Sequence, residues 1–501
     1  MRDLRDERYM IKRTAQGRRQ SPRLGCWIAL GILLLAFIRS TERQVAQAQD
    51  IAPGWTTPED ISAPLSEGRD LNGVLICDPN QNLHVLWGKS HSNGSEIYYR
   101  TDAGGALSAP IDILALSDPL AIGLSATLTK PDSTLHVIWK NSYIRGDVFY
   151  SSAPLAEAGN LRAWETPRLV VSQADSAGIL ADNSGSLHLV YGASDADGYS
   201  NSFYHVRSDD GGLSWSEPSL IYEARSAVPS TIGGSAAFDA AGRMHVGITV
   251  RSQEYGVYSE LGYLRSPDGG QTWQPYRAIV TQSEATPNVS IIAPWVFGTD
   301  EIHLTYHDPR RMHTWSNDGG TTWSNPIQMV ELGAGFGGAN FLAKDSAGVL
   351  RAATGVANGV YVSTFDGYRW LTPEQIENRS MDPHGQQLEV CQGNQLHVIY
   401  DDRVVADTTV WYSHKQIDAP HIERSPIPTR VARTNAVSVL PEAQQASPTA
   451  EPAAIGEPMP VLTHATPPAA SGSALTPVLI STAATFVFIC VVLAWHTLRR
   501  R

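Results

Sequence analysis

Seven times along this chain a short apolar strand pattern of one type returns. It reads Leu83-His84-Val85-Leu86-Trp87, Leu135-His136-Val137-Ile138-Trp139, Leu187-His188-Leu189-Val190-Tyr191 and Met244-His245-Val246-Gly247-Ile248. It continues as Ile302-His303-Leu304-Thr305-Tyr306, Leu350-Arg351-Ala352-Ala353-Thr354 and Leu396-His397-Val398-Ile399-Tyr400. Runs this short, rich in β-branched and aromatic residues and bounded by Gly, Pro, Asn or Asp, are strand signals. The copies start 52, 52, 57, 58, 48 and 46 residues apart, and such periods mark propeller blades or a related array. Each copy leads to a second aromatic strand, such as Ile97-Tyr98-Tyr99-Arg100 or Val410-Trp411-Tyr412-Ser413. A strand opening on Trp-x-x-Pro follows, at Trp215, Trp323, Trp370 and, one residue shorter, Trp273. A small-residue strand then enters the next copy. Four strands per repeat predict an all-β, seven-bladed β-propeller, with a six-bladed ring as the alternative. The seventh repeat lacks its fourth strand, whereas Trp55-Thr56-Thr57-Pro58 carries that signature with no strand before it. The strand over 55–61 is therefore expected to complete the last blade and close the ring, which leaves no sheet edge open.

Between the third and fourth strands three turns share one sequence. They contain Ser208, Asp210, Gly212 and Trp215; Ser266, Asp268, Gly270 and Trp273; and Ser316, Asp318, Gly320 and Trp323. The Asp can accept bonds from the backbone ahead of it, the glycines are free to take φ > 0, and the Trp is a large apolar anchor. This pattern, Ser-x-Asp-x-Gly-x-(Ser/Thr)-Trp, resembles the Asp box, or bacterial neuraminidase repeat, of sialidases and related β-propellers. The resemblance covers residues 51–418. It implies that the Asp boxes are structural and lie on the face away from the ligand.

The resemblance also implies what sialidase chemistry would require. Sialidases hold the substrate carboxylate with three arginines, whose forks match it bidentately. They use a Tyr nucleophile activated by a Glu, and an Asp as acid/base. Arg69 occupies the place of the first arginine, but within Gly68-Arg69-Asp70-Leu71 rather than the family's motif. Residues 88–95, where the acid/base Asp should come, contain no Asp; His91 and Glu96 are the nearest substitutes. Arg251, Arg310 and Arg403 are further clamp candidates, and Asp308 and Tyr258 complete the catalytic candidates. The loops from second to third strand and from blade to blade carry the candidate ligand-binding residues His91, Tyr143, Arg145, Tyr199, Arg225, Tyr255, His307, Arg379 and Asp401. Aromatic rings flanked by Arg, Asp and His suit sugar recognition. Recognition of glycans or protein partners is the favoured function, an exo-glycosidase acting on sialylated or other acidic glycans the alternative, and a structural part of a surface assembly a third class.

Outside the repeats the pattern changes. Residues 1–48 hold a basic segment and a short apolar run at 25–38, read as a signal peptide or signal anchor. The propeller spans 49–419. Residues 420–475 are a Pro/Ala/Ser/Thr-rich stalk, 476–498 an apolar transmembrane helix, and 499–501 a cationic cytoplasmic tail. The expected location is the cell membrane, with the propeller on the extracytoplasmic side. The formal net charge of −12 argues against nucleic acid as a partner. Cys77 and Cys391 precede the repeated strand in the first and last blades, which become neighbours on ring closure and can form a disulfide in an oxidising compartment. The six His of the repeated strands occupy one equivalent position per blade and read as packing groups, not as a metal cluster; no metal or other cofactor is expected.

Overall fold

The computed structural model describes residues 52–62, 69–102, 105–130, 133–252, 258–281, 293–308, 310–329, 341–356, 359–377, 383–404 and 407–427. The leader over 1–48, most of the stalk and the apolar segment 476–498 lie outside them. Among the described residues no helix is long and apolar enough to cross a membrane.

The described strands form seven four-stranded antiparallel sheets. Blades 1 to 6 span residues 69–116, 122–174, 176–225, 230–281, 293–328 and 341–377. Blade 7 takes three strands from residues 383–416 and its outermost strand from Glu59–Asp60. Glu59 pairs with Tyr412 and Asp60 with Trp411, while Thr56 N–H donates to the His414 carbonyl. The two ends of the domain thus share one blade. A disulfide joins Cys77 to Cys391, whose Cα atoms lie 5.5 Å apart, and ties the inner strand of blade 1 to that of blade 7.

Within each blade the strands run outward in order A to D. The apolar core lies between blades: Val74, Tyr99 and Ile113 of blade 1 pack with Leu124, Leu135 and Trp139 of blade 2. Blades 2 and 3 meet through Ile138, Val148, Leu189 and Tyr191. Side chains alternate along a strand, so each sheet buries both faces against its neighbours.

The A–B and C–D turns occupy one face of the ring. There the three Asp boxes share one hydrogen-bond pattern. Asp210 Oδ1 accepts from Ser214 N–H at 2.9 Å and Oδ2 from the Ser214 hydroxyl at 2.6 Å, while Ser208 Oγ accepts from Gly212 N–H at 2.8 Å. Asp268 and Asp318 repeat it with Thr272 and Thr322. Each turn presses on the aromatic of the preceding blade. Gly212, at φ 85°, lies so close to Tyr150 that a Cβ would meet the ring at 2.3 Å. The Tyr150 hydroxyl donates to the Gly211 carbonyl and lies 2.7 Å from His136 Nδ1. His136 is therefore the inner end of a buried chain that terminates on the Asp box of blade 3.

Backbone register also identifies the residue that opens each D strand. The N–H of the following residue bonds to a C-strand carbonyl: Glu165 to Ser152, Ser216 to Arg207, Gln274 to Arg265, Ser324 to Trp315, Leu371 to Thr364 and Thr56 to His414. The residues before these donors are Trp164, Trp215, Trp273, Trp323, Trp370 and Trp55. Trp164 opens Trp164-Glu165-Thr166-Pro167, a further Trp-x-x-Pro copy, and two 3-10 turns, Leu155–Glu157 and Leu161–Ala163, stand before it where an Asp box would be. In blade 1 the corresponding bond runs from Ser108 to Thr101, and the residue before it is Leu107.

Candidate functional site

The B–C loops and the D–A connections form the opposite face. Blades 2 and 3 build its best described part. Lys140 ends the B strand Thr134–Lys140 and is almost fully buried. Its Nζ donates to the backbone carbonyl of Asp175, in the connection from blade 2 to blade 3. Burial lowers the Lys140 pKa to about 8, partly offset by the Asp175 charge. Burial also raises the Asp175 carboxyl above its ordinary value, against hydrogen bonds that favour ionisation. Asp175 Oδ2 lies 2.5 Å from Ser194 Oγ and accepts from Ile232 N–H at 3.3 Å. Its buried Oδ1 has no hydrogen-bond partner among the described residues. An acid and a base shifted by desolvation at the inner rim of a propeller are the kind of perturbed pair that marks functional sites.

Above this pair two loops are held together. Arg145, at φ 49°, reaches from the B–C loop of blade 2 to the carbonyls of Asp195 and Ala196 in the B–C loop of blade 3, the latter at 3.0 Å. Asp195 Oδ1 in turn accepts from Tyr199 N–H at 2.9 Å. This geometry leaves Tyr143 56% and Tyr199 38% exposed, with Ile144 beside Tyr143. Arg225 stands opposite Ser200 in the sheet, next to Tyr199, and Glu223 accepts from the Ser200 hydroxyl at 3.2 Å. Of the sequence candidates, Tyr143, Arg145, Tyr199 and Arg225 are thus brought to one rim. Lys140 and Asp175 join them; their buried charge, not any motif, reveals them.

The other candidates are placed differently. His91 Nε2 lies 2.8 Å from Glu96 Oε2 at the loop of blade 1. Asp401 is buried beneath Gly385 in blade 7. Arg310 is exposed and donates to Gln328 Oε1 at 2.7 Å. Arg251 is exposed at the end of a blade 4 strand. Arg69 starts the inner strand of blade 1, paired with Ser90. The side chains of Arg69, Arg403, Asp308, His307 and Tyr258, and the whole of Tyr255 and Arg379, lie outside the described residues. A Tyr–Glu pair of the kind sialidases use does occur: the Tyr222 hydroxyl donates to Glu260, and Tyr276 stacks on Tyr222 at 4.3 Å. It belongs to C and D strands of blades 3 and 4, away from the inner strands. Among the described residues no group of three or more His, Cys, Asp or Glu is placed to hold a metal ion.

The fold and repeats define a class, the Asp-box β-propellers of sialidase-like type. Residues 155–349, which hold all three Asp boxes, match the family described as the BNR repeat-like domain. Solved structures of the same fold include the polysaccharide lyase Uly1, at 11% identity over 71% of this chain and 91% of that one, with a TM-score of 0.50. A protein of unknown function from Dyadobacter fermentans is 12% identical over 73% of this chain and 100% of that one (TM-score 0.45). The NanB sialidase from Streptococcus pneumoniae is 12% identical over 67% and 84% (TM-score 0.43). No curated protein sequence matches the chain.

Proposed function

We propose that this chain is a membrane-anchored propeller on the extracytoplasmic side that recognises glycans through the loop rim of blades 2 and 3. One observation carries this reading: Tyr143 and Tyr199 are exposed on adjacent loops that Arg145 staples together, beside the buried Lys140–Asp175 contact. Exposed aromatic rings offer stacking faces to sugar rings, and the flanking Arg225 and Glu223 offer groups for hydroxyls. The Cys77–Cys391 disulfide supports an oxidising compartment. The apolar segment 476–498 supplies the anchor and the stalk holds the head away from the bilayer. The alternative, a divergent sialidase or another exo-glycosidase of acidic glycans, needs converging arginines. Arg145 and Arg310 are instead engaged by neighbouring loop carbonyls and by Gln328.

The test is a glycan array probed with the full chain in a sugar-free detergent, alongside a fluorogenic sialoside assay. The expected result is binding to a defined set of glycans, lost in Tyr143→Ala/Tyr199→Ala with unchanged melting, and no sialoside turnover. Turnover abolished by Arg69→Lys would establish the enzymatic alternative instead.

A further inference from the structure

Six blades open their D strand with a Trp; blade 1 does so with Leu107. The Trp normally fills the seam with the preceding blade. Trp215 packs edge-on to Tyr150 with ring centres 5.8 Å apart, Trp323 to Tyr263 at 5.0 Å, and Trp370 lies 5.4 Å from His313. At the seam of blades 7 and 1 the wedge is missing, and a cleft of about 960 Å³ opens between Leu107 and the His397–Tyr412 pair. That size falls at the upper end of small-molecule clefts, roughly 300–1,000 Å³.

The same seam loses a second partner. In four other blades Nε2 of the repeated His is hydrogen-bonded to a polar group, Thr129 at 3.0 Å, Asp182 at 3.4 Å, Asp239 at 3.2 Å and Glu301 at 3.0 Å, and in blade 1 it faces the Asp78 carboxylate at 3.4 Å without a hydrogen bond. In blade 7 the residue that Asp78 and Asp182 would suggest is replaced by Cys391, committed to its disulfide. His397 is 3% exposed, its Nδ1 lies 2.7 Å from the Tyr412 hydroxyl, and its Nε2 has no hydrogen-bond partner among the described residues. A buried polar atom without a partner costs free energy that a ligand can recover. His414 Nδ1 is likewise unpartnered on the same wall.

The rest of the lining indicates the ligand's chemistry. Its charges are compensated in place: Arg424 with Asp102 at 2.8 Å, and Arg100 with Glu59 at 3.6 Å. Burial lowers the pKa of both histidines, that of His397 to about 3, and so disfavours their charged forms. Gln392, Gln395, Gln416 and Thr57 add groups that both donate and accept, and Leu107 adds an apolar surface. Such a lining has no net charge to select an ion. It suits a neutral ring that has hydroxyls around its edge and C–H groups on its face.

We propose that this seam is a binding site for a neutral pyranose residue, on the face opposite the loop rim. It goes beyond the reading of the loop face and does not depend on it. The test titrates the full chain, in a sugar-free detergent, with methyl β-galactopyranoside, methyl β-glucopyranoside and methyl α-mannopyranoside, observed by saturation-transfer NMR. N-acetylneuraminic acid and glucuronic acid serve as charged comparisons. At least one neutral pyranoside is expected to bind. Leu107→Trp, which restores the wedge of the other six seams, should weaken that binding by about tenfold or more, as should Gln395→Ala/Gln416→Ala through loss of roughly two hydrogen bonds. The glutamine variant decides the matter if Leu107→Trp does not fold. No binding, binding confined to the charged sugars, or binding unchanged in the glutamine variant overturns the proposal. Array binding lost in Tyr143→Ala/Tyr199→Ala reads the loop rim separately, so either site can fail without the other.

Discussion

Two kinds of residue act on stability at single positions. The Asp-box glycines are the first. Gly212 has a left-handed φ and no room for a Cβ against Tyr150, so Gly212→Ala combines backbone strain with overpacking. It is expected to cost about 2–4 kcal/mol in chemical denaturation, more than a surface Gly→Ala change. Trp273 is half-buried, so Trp273→Ala should cost about 1–3 kcal/mol, below the cost for a fully enclosed ring. Glu389 is the second kind. It lies on the inner strand of blade 7, and burial raises its pKa from 4.5 to about 7, against one backbone hydrogen bond from Val390. Between those two values the folded chain holds more protons than the unfolded one, so this contribution to stability falls as pH rises. Glu389→Gln should stabilise by on the order of 2 kcal/mol at about pH 8 and change little at about pH 4. Melting curves of the two proteins at both pH values check the sign. The Asp-box serines and aspartates were legible as a motif; nothing local distinguishes Glu389 from an exposed Glu, because its burial comes from its place on the ring.

At the scale of an element, the N-terminal strand has an importance out of proportion to its length. Only Glu59 and Asp60 count as strand, yet the segment also supplies Trp55, which packs between blades 6 and 7 and donates to Glu374 at 2.8 Å. It supplies Ile61 as well, which is fully buried between blades 7 and 1. Deleting residues 49–62 removes both anchors and bares the edge of the last blade. Global melting well below that of the parent is expected in calorimetry; an unchanged melting temperature would mean that closure of blade 7 does not stabilise the ring. The Trp-x-x-Pro signature made this strand readable without a structure, because a strand that lacks a neighbour must find one. The signature is present in blade 2 as well, at Trp164-Glu165-Thr166-Pro167, although 3-10 turns replace the Asp box there; it gave no warning at Leu107, because a Leu at that place looks like any other apolar residue.

At the scale of the whole molecule, closure is covalent as well as hydrogen-bonded. Cys77 and Cys391 are 314 residues apart in sequence. A cross-link over so long a loop restricts the unfolded chain strongly, so Cys77→Ser/Cys391→Ser should lose about 2–5 kcal/mol. Denaturant titration with and without a reductant should show the same loss in the parent and none in the double variant. The pairing of first and last blades also decides what lies at their seam. The segment after the last strand crosses to blade 1, where Arg424 meets Asp102 and the Ser425 hydroxyl lies 2.9 Å from Asn80 Oδ1. It thereby walls the cleft beneath Leu107.

The sequence by itself determined the unit and its number. A four-strand pattern repeated at a nearly constant period can bury its two apolar faces only against copies of itself, and an orphan strand at one end matches a missing strand at the other. The Asp boxes follow from the same local rules, since every bond in them lies within five residues. Tertiary structure alone decided which groups meet. Arg145 bonds to carbonyls 50 and 51 residues away, Lys140 to one 35 away, and the seam cleft joins residues from both ends of the propeller. Those meetings depend on how neighbouring blades pack. Packing is set by the sum of many seam contacts, and no short stretch of sequence carries that sum.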